Sequence, residues 1–527
     1  MVVVEYTYEE MRKLVDLPLE EMIAALSSLG APSEFEPEVG KIITELTPNR
    51  PDWYSMEGLA RALRTYYGKG HPQYMVKKSQ FKVFVDPSVS KVRPFTVCAV
   101  VKGLRLDDDR IRDMVLLQEK LLGTLGRRVK KFGLGLYPLH AIKFPVSYTT
   151  MKPEKIRYTP LGSEREMGAD EILSDHKKGQ QYGHLIKGSP AYPVFVDADG
   201  KIMALIPIVN SAETGRIDTG TRDIFIEVSG MEMHACKAAL NILVCTFADM
   251  GGEVHGVELD YGREKLVTPD LEPAVMPLDI AGMNRILGLS LDEKSVSGLL
   301  SKMGYGYRNG SVSVPPYRAD VLGEIDIIED IAIAYGYNNF VPTLPDFFSA
   351  GERIGRYDEA DAAMRGMGFV ETKTFILTNR EKLAIIGADK DVVGISNPGS
   401  VDFTVIRPNL VLDMIDTFAM NKMRGLPQRF YEIGIVQQGA GSEMRLVFGV
   451  MDKAVEFSSF RGCLQTLSRE TGLEFELAKE ETLAFDKETS CSVISKGRKI
   501  GVLGKVDGKV LEKFGIEFDI YICELEI

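Results

Sequence analysis

Four carboxylates lie close together in the sequence, at Asp320, Asp326, Glu329 and Asp330. Asp326 precedes Glu329 by three residues and Asp330 by four, and these spacings place side chains on one surface of an α-helix. Asp320 lies in the turn before such a helix and can fold back beside them. Because like charges repel, the cluster has three interpretations: a solvated face, a position at the positive helix N-terminus, or oxygen ligands for a hard cation. Spacing alone favours the solvated face.

A predicted amphipathic helix carries this cluster. Ile325, Ile328, Ala332 and Tyr335 recur at intervals of three and four, which is the pattern of an apolar helix face. Gly336 follows in the usual C-terminal position. The sequence therefore predicts an apolar face directed to the core and an acidic face opposite to it.

The segment PPYRADVLGEIDIIEDIAIAYGYNN, residues 315–339, resembles the signature of the beta subunit of phenylalanyl-tRNA synthetase in its archaeal and eukaryotic form. The resemblance implies that Asp320, Asp326, Glu329 and Asp330 hold a magnesium ion shared with the alpha subunit. It also implies that the aminoacylation site lies on the alpha subunit. This chain would then be the noncatalytic half of an alpha-two-beta-two ligase that uses ATP and binds the tRNA for phenylalanine.

Composition is typical of a folded, soluble protein of about three to five domains, with 527 residues, 45% hydrophobic and 26% charged. Its six cysteines form no CxxC pair, which disfavours a zinc site or a disulfide framework and predicts reduced thiols. No apolar run reaches the length of a membrane span, and the first residues lack the pattern of a targeting segment. We therefore expect a cytoplasmic protein without membrane association.

The formal charge of −12 argues against general nucleic-acid binding, because phosphate neutralisation requires Lys and Arg. Local basic segments are left as candidates, and they are residues 126–131 (GRRVKK), Lys77-Lys78 and 176–178. For the two short segments a solvated surface is favoured over an RNA contact. For residues 127–131 the two interpretations stay open.

The predicted fold class is multidomain α+β, with four domains. Residues 1–78 form a small N-terminal α/β domain, 79–266 a mixed α/β domain, 269–345 a small helix–strand domain with the acidic helix, and 346–527 an antiparallel-sheet domain. The turn Asn49-Arg50-Pro51-Asp52 precedes a helix that Asp52 or Ser55 can cap. This turn and the following EGLAR resemble the N-terminal domain of the same family.

Local pattern predicts four further elements. They are a strand from Lys41 to Leu46, a helix near Ile280 to Leu287, a strand pair across Asn309-Gly310, and a helix from Arg356 to Gly368.

Residues 79–266 resemble the domain that hydrolyses wrongly charged tyrosyl-tRNA in that family. The segments that carry this resemblance are 171–173, 178–179, 182–186, 207–210 and 221–228. One departure is Ile206, where the family usually has a proline. The histidines His176, His184, His234 and His255 are scattered and form no hydrolase triad, so water must be oriented by polar groups and by the ribose hydroxyls of the substrate.

The candidate editing residues are Asn210, Ser211, Thr221 and Glu227, which are polar groups beside apolar strands. In an alternating strand, Glu227 faces the same way as Phe225 and can stand beside an aromatic wall. The alternative is that Glu227 is a solvent-facing strand residue and that Asn210 is a turn former.

Residues 396–434 resemble the degenerate class II synthetase fold of the family. A working class II site needs an Arg followed by Glu and a second Arg after a glycine-rich strand, whereas Arg407 is followed by Pro408. The glycines before Arg445 are typical of a polar loop between two strands. We therefore expect this domain to be catalytically silent and to serve in subunit packing. The lack of an inserted nucleic-acid-binding barrel and of an anticodon-binding domain after Ile527 also fits the archaeal and eukaryotic form.

Two other classes of function remain open at this stage. The small domain resembles winged-helix modules, so a nucleic-acid-binding regulator is a rival, although its helix at 292–303 contains only Lys294 and Lys302 as basic residues. A carboxylate–metal hydrolase is the other rival, and it would need a second acidic or histidine cluster, which the sequence does not offer.

Overall fold

A computed structural model describes residues 2–71, 73–344 and 357–527. The predicted domain boundary at 345–346 and Arg356, the predicted start of a helix, lie outside the described residues. The chain divides into two compact units, Met1–Thr343 and Leu344–Ile527. The three predicted N-terminal domains thus fall within one unit, and the boundaries between them stay predictions. In the three described ranges, no helix is long and apolar enough to cross a membrane.

The first unit begins with a three-stranded antiparallel sheet in the order β1-β3-β2, beside three helices. The elements are β1 (Val2–Thr7), α1 (Tyr8–Val15), α2 (Leu19–Ser28), β2 (Ser33–Glu36), β3 (Lys41–Leu46) and α3 (Met56–Tyr66). α3 begins after the predicted turn, and Ser55 caps it by accepting a hydrogen bond from the Gly58 N–H. The turn that precedes α3 is therefore held in a fixed position.

A ten-stranded mixed sheet forms the centre of the first unit, in the order β12-β11-β10-β7-β4-β14-β5-β13-β6 with β15 paired to β14. The strands are β4 (Lys82–Val85), β5 (Phe95–Lys102), β6 (Phe132–Pro138), β7 (Val146–Met151), β8 (Arg157–Tyr158), β9 (Met167–Gly168), β10 (Tyr192–Val196), β11 (Ile202–Leu205), β12 (Val209–Asn210), β13 (Ile224–Gly230), β14 (Glu253–Asp260) and β15 (Lys265–Thr268), with β8 and β9 forming a separate pair. Every residue of β13 is buried, including Glu227 and Ser229, because β13 pairs with β5 and β6 and is covered by a helix.

Five helices accompany this sheet. They are α4 (Asp108–Gly123), α5 (Ala169–Asp175), α6 (Lys177–Tyr182), α7 (Ala212–Gly215) and α8 (Met233–Asp249). α8 packs on β5 and β13 and buries most of its residues, because it is apolar on nearly all sides. These contacts fix the position of β13, which carries Glu227.

The last part of the first unit contains three strands and three helices: β16 (Ala274–Pro277), α9 (Ile280–Leu287), α10 (Glu293–Lys302), β17 (Gly306–Arg308), β18 (Ser311–Val314) and α11 (Glu324–Tyr335). The strands form an antiparallel sheet in the order β16-β18-β17. Asn309 and Gly310 have φ angles of 49° and 75°, which suits a tight turn between β17 and β18. The predicted strand pair across these two residues is confirmed.

The acidic helix α11 exists as predicted, and Ile328 and Ala332 are buried as predicted, but the centre of its buried face is shifted. Ile325 is 59% exposed, whereas Asp330 is only 5% exposed. Ile327 and Ile331 are fully buried in the core instead. The predicted assignment of Ile325 to the apolar face and of Asp330 to an open acidic face is therefore wrong. The physical reason is that Asp330 is an ion-pair partner of a buried arginine, which periodicity does not reveal.

The second unit has a seven-stranded sheet in the order β19-β22-β23-β27-β26-β25-β24, antiparallel except for β19 and β22. The elements are α12 (Asp358–Gly366), β19 (Val370–Glu371), β20 (Leu377–Thr378), α13 (Arg380–Ile385), β21 (Val405–Ile406), α14 (Val411–Asn421), β22 (Gln428–Gln438), β23 (Gly441–Asp452), α15 (Phe457–Thr471), β24 (Glu476–Lys479), β25 (Cys491–Ser495), β26 (Arg498–Lys505), α16 (Gly508–Phe514) and β27 (Asp519–Glu526). Helices α14 and α16 cover one face, and α12 and α15 cover the other. The glycines before Arg445 form the hairpin between β22 and β23, as predicted.

Candidate functional site

Two of the four predicted metal ligands are engaged by a buried arginine. Arg318, whose side chain is 2% exposed, donates two hydrogen bonds to Asp320, at 2.9 and 2.7 Å. The same guanidinium lies 2.6 Å from Asp330, and the Tyr305 hydroxyl also donates to that carboxylate. A charge-assisted bidentate pair of this kind is a strong contact. The oxygens of Asp320 and Asp330 are thus directed at protein groups.

The other two predicted ligands lie nearer the surface. Asp326 accepts hydrogen bonds from the N–H groups of Leu322 and Gly323, at 2.8 and 2.9 Å, and so stabilises the first turn of α11. Glu329 is exposed. Throughout the described part of the chain, no group of three or more His, Cys, Asp or Glu side chains is arranged to hold a metal ion. The four carboxylates do not form a cage by themselves, and the magnesium site stays a prediction.

Arg318 belongs to a buried network that joins the acidic segment to the N-terminal turn. Arg50 donates two hydrogen bonds to Asp52, lies 4.0 Å from Asp320 and places its guanidinium 3.6 Å from the centre of the Trp53 ring. Sequence reasoning gave neither Arg50 nor Arg318 a role. The available signal was that both lie two residues before an aspartate in a turn, where they can form the same bidentate contact.

A second polar cluster lies in the large sheet and brings two of the four editing candidates together. The Tyr137 hydroxyl lies 3.3 Å from Oδ1 of Asn210 and also contacts the Glu227 carboxyl group. Asn210 donates through Nδ2 to the Leu136 carbonyl at 3.3 Å. Because Asn210 is half-buried and Glu227 is 1% exposed, Asn210 is the member of this pair that a ligand can reach.

The Glu227 carboxyl group has hydrogen-bonding contacts with Ser229 and with Tyr137. Ser229 donates to Oε2 of Glu227 at 2.5 Å, and the Thr96 hydroxyl lies 2.8 Å from that of Ser229. Burial raises the pKa of Glu227 to about 7, although these hydrogen bonds and Arg93 oppose the rise. Glu227 therefore changes charge near neutral pH. The alternative of a solvent-facing Glu227 is excluded by its burial.

Ser211 and Thr221 have local structural contacts. Ser211 accepts a hydrogen bond from the Glu213 N–H and so caps α7. Thr221 is fully buried and exchanges hydrogen bonds with Asp218 in the loop before β13. Neither hydroxyl has a hydrogen bond to Glu227 or Asn210 among the contacts of the described residues. Their proposed part in editing gains no support from this geometry.

Tyr137, which bridges the cluster, was missed by the sequence interpretation. The signal for it was the alternation of Gly133 and Gly135 in β6, since glycine inside a strand marks a close approach. A Cβ atom on Gly135 would lie 2.5 Å from the Tyr137 hydroxyl and 2.7 Å from Oε1 of Glu227. A Cβ atom on Gly133 would lie 2.6 Å from Pro207. Both glycines keep space for this polar cluster and its neighbouring loop.

The chain is 34% identical to the phenylalanine–tRNA ligase beta subunit of Archaeoglobus fulgidus, over 100% of this chain and 98% of that protein. It belongs to the phenylalanine–tRNA ligase beta subunit family. The beta subunit of Thermococcus sibiricus is also 34% identical, over 90% of this chain and 88% of its own length. The predicted family assignment is confirmed.

Domain and structure matches agree with this family. Residues 276–337 match the tRNA synthetase B5 domain, and residues 349–527 match the phenylalanyl tRNA synthetase beta chain CLM domain. An N-terminal fragment of the Pyrococcus horikoshii phenylalanyl-tRNA synthetase beta subunit is 34% identical, with a TM-score of 0.60, and the match covers 63% of this chain and 99% of the fragment. The multidomain α+β class is thus established for this ligase subunit.

In this member of the family, Arg407 is committed to a buried network in the second unit. Its side chain is 2% exposed and donates to Asp413, Glu432 and the Thr374 hydroxyl, at 2.7 to 2.9 Å. Burial raises the pKa of Asp413 to about 7, and Arg407 opposes that rise. A guanidinium with all these partners has no free face for a phosphate group.

Proposed function

We propose that this chain assembles with an alpha subunit into a cytoplasmic alpha-two-beta-two phenylalanine–tRNA ligase, in which the alpha subunit binds ATP and attaches phenylalanine to its tRNA. The full-length similarity to beta subunits carries this proposal. The second unit acts as a catalytically silent, class II-like domain, because Arg407 is buried among its own partners. The two rivals, a winged-helix regulator and a carboxylate–metal hydrolase, do not account for similarity along the whole chain.

The isolated chain is expected to form no phenylalanyl-adenylate, because Arg407, which lies near the expected ATP-clamping position, is buried and paired. The measurement is phenylalanine-dependent pyrophosphate exchange with the purified chain, before and after addition of the alpha subunit. We expect exchange only with the alpha subunit present. Robust exchange by the chain alone would contradict the assignment of catalysis to the partner.

Hydrolysis of tyrosyl-tRNA is the second activity of the proposal. A pocket that selects phenylalanine by apolar contact cannot strongly reject an analogue that only adds a hydroxyl, so a second site must read that hydroxyl by hydrogen bonding. The cluster of Asn210, Tyr137 and Glu227 has suitable groups in the large sheet. Asn210 would contact the substrate hydroxyl, and Tyr137 and Glu227 would position the Asn210 amide. Deacylation of tyrosyl-tRNA by the assembled enzyme tests this part.

A magnesium ion shared with the alpha subunit is the third element of the proposal. Asp320 and Asp330 are directed at Arg318, so Asp326 and Glu329 are the carboxylates best placed to offer an oxygen. Two ligands do not complete the coordination of a hard cation, and the alpha subunit and water would supply the rest. The ion would join the two subunits at α11.

We expect Asp326→Asn and Glu329→Gln to have different effects on the stability of the free chain. Their effects on assembly of the complex should be the same. Asp326→Asn weakens the contacts at the start of α11 and lowers the free energy of unfolding by about 0.5–1 kcal/mol, whereas Glu329→Gln leaves it unchanged. In the complex, either change raises the magnesium concentration needed for assembly. Sedimentation during a magnesium titration measures this. Assembly that is indifferent to chelator and to both changes would assign the two carboxylates to the solvated surface.

A further inference from the structure

The basic segment at residues 126–131 forms a left-handed turn between α4 and β6. Arg127, Arg128 and Val129 have φ angles of 47°, 54° and 66°. This backbone region suits glycine and, to a lesser degree, asparagine and aspartate, and it is least suited to a β-branched residue such as valine. Three such residues in succession are unusual. If this turn served only to reverse the chain direction, glycine or asparagine would adopt its backbone conformation with less strain.

The surrounding structure holds this turn in place. The Val129 side chain is 1% exposed, and its N–H donates to the Leu122 carbonyl at 3.2 Å. Arg93 is buried and donates through Nη2 to the carbonyls of Val129 and Ser229, at 3.1 and 3.3 Å. Since Ser229 also donates to Glu227, Arg93 connects the turn directly with the strand of the candidate editing cluster. Strained backbone that is fixed in this way is typical of functional sites.

The turn presents its cations to solvent. Arg127, Arg128 and Lys130 are exposed while Val129 points inward. Within the described ranges, none of these three side chains forms an ion pair, whereas the neighbouring Lys131 lies 2.7 Å from Glu232. Three unpaired cations on four consecutive residues form a local positive site on a chain with a formal charge of −12. Such a site fits closely spaced negative charges, as in an RNA backbone.

We propose that Arg127, Arg128 and Lys130 bind phosphates near the 3′ end of the tRNA and direct that end to the Asn210 cluster. This inference rests on the proposed editing function. β6 starts directly after the turn and carries Tyr137 six residues beyond Lys131, which is about 20 Å along an extended strand. A few unpaired nucleotides can span that distance. The contacts are to phosphates, so they carry no sequence preference but fix the position of the RNA.

The test uses the assembled alpha–beta complex with the double change Arg127→Asn and Arg128→Asn. Asparagine tolerates left-handed backbone, so the turn is kept while two charges are removed. The binding of labelled tRNA for phenylalanine is measured between about 50 and 200 mM salt. We expect several-fold weaker binding and a plot of log affinity against log salt that is less steep by about 1.5, which corresponds to two lost phosphate contacts. Tyrosyl-tRNA deacylation is expected to fall at subsaturating tRNA and to keep its maximal rate.

The matched control is Lys152→Gln with Lys155→Gln, which removes two charges from exposed lysines of the same unit that lie outside the candidate basic segments. We expect the control to leave the salt slope unchanged. An unchanged slope in the Arg127 and Arg128 variant overturns the site, and so does an equal loss in the control, since the effect would then follow net charge alone. If the salt slope falls but the unmutated complex does not deacylate tyrosyl-tRNA, the result supports the RNA-binding site and excludes the editing function.

Discussion

An Arg318→Met variant is expected to lower the free energy of unfolding of the first unit by about 3–5 kcal/mol, which is the usual loss when one partner of a buried ion pair is removed. Arg318 neutralises Asp320 and Asp330, and all three side chains are largely buried. Methionine fills much of the same volume but leaves Asp330 without the arginine it pairs with and leaves Asp320 with only Arg50, 4.0 Å away. The decrease in the free energy of unfolding therefore comes mainly from the charges of the remaining carboxylates and not from lost packing.

The single tryptophan offers a selective probe of this effect. Trp53 is 3% exposed and lies against Arg50, which approaches Asp320, so its fluorescence reports on the first unit. Urea unfolding followed by this fluorescence gives the free energy. The matched control is Arg285→Met in α9, an exposed arginine for which we expect a change below about 0.5 kcal/mol. Equal results for the two variants would contradict the role given to Arg318.

A triple variant separates the loss of charge balance from the loss of the side chain. Arg318→Met combined with Asp320→Asn and Asp330→Asn removes the charge from all three side chains. Replacing every member of a buried ion pair or triad destabilises a protein far less than removing one partner. We expect the triple variant to recover more than half of the stability that Arg318→Met loses. A triple variant less stable than Arg318→Met would show that the contacts of these carboxylates with Arg50 and Tyr305 stabilise the fold more than the unbalanced charge destabilises it.

Elements fixed by local pattern could be predicted from the sequence. β3 and α9 have the predicted bounds, and the turn at Asn309 lies between the predicted strands, because period, caps and turn residues are encoded within about ten neighbouring positions. The same holds for Ser55 as a helix cap. In these cases the side chains that decide the structure are close in sequence.

Partners that are distant in sequence could not be predicted. Asp330 was assigned to an open acidic face because helical spacing does not show that Arg318 lies beneath it. Tyr137 was missed because its contact with Asn210 joins β6 to β12, which lie at opposite ends of the sheet order. The curvature that brings these two strands together depends on the whole domain. In the sequence, only the glycine pattern in β6 indicated that another group approaches this strand.

Tyrosyl-tRNA deacylation by the assembled enzyme is expected to fall about 10²-fold in an Asn210→Ala variant, the usual cost of removing one positioned hydrogen-bonding group from a site. Asn210 is the half-buried member of its cluster, and alanine removes the amide that a substrate hydroxyl can reach. Charging with phenylalanine is expected to be unchanged, since we propose that the alpha subunit performs that step. Deacylation at the unmutated rate would remove Asn210 from the site.

Glu227→Gln tests whether the buried carboxyl group controls Asn210 through Tyr137. Our hypothesis is that Glu227, when protonated below pH 7, donates to the Tyr137 oxygen, so that the Tyr137 hydroxyl donates to Oδ1 of Asn210, as it does in the structure, and occupies it. Under this hypothesis, Glu227 that is ionised above pH 7 accepts from Tyr137 instead, and Oδ1 of Asn210 is then free to accept the substrate hydroxyl. Because burial raises the pKa of Glu227 to about 7, deacylation by the unmutated enzyme should rise with pH through this value.

Glutamine does not titrate, and with its oxygen accepting from Ser229 its NH2 group donates to Tyr137, so the Glu227→Gln enzyme should stay near the low-pH rate without a pH-dependent rise. Unfolding would not explain this loss. A carboxyl group whose pKa rises from 4.5 to about 7 on folding makes the folded state less stable as pH increases through that interval, by up to about 3 kcal/mol, and glutamine removes this penalty. The variant should therefore be at least as stable as the unmutated enzyme at pH 8. Deacylation by Glu227→Gln that still rises through pH 7 would exclude Glu227 as the titrating group, and no deacylation by the unmutated enzyme would exclude editing by this chain.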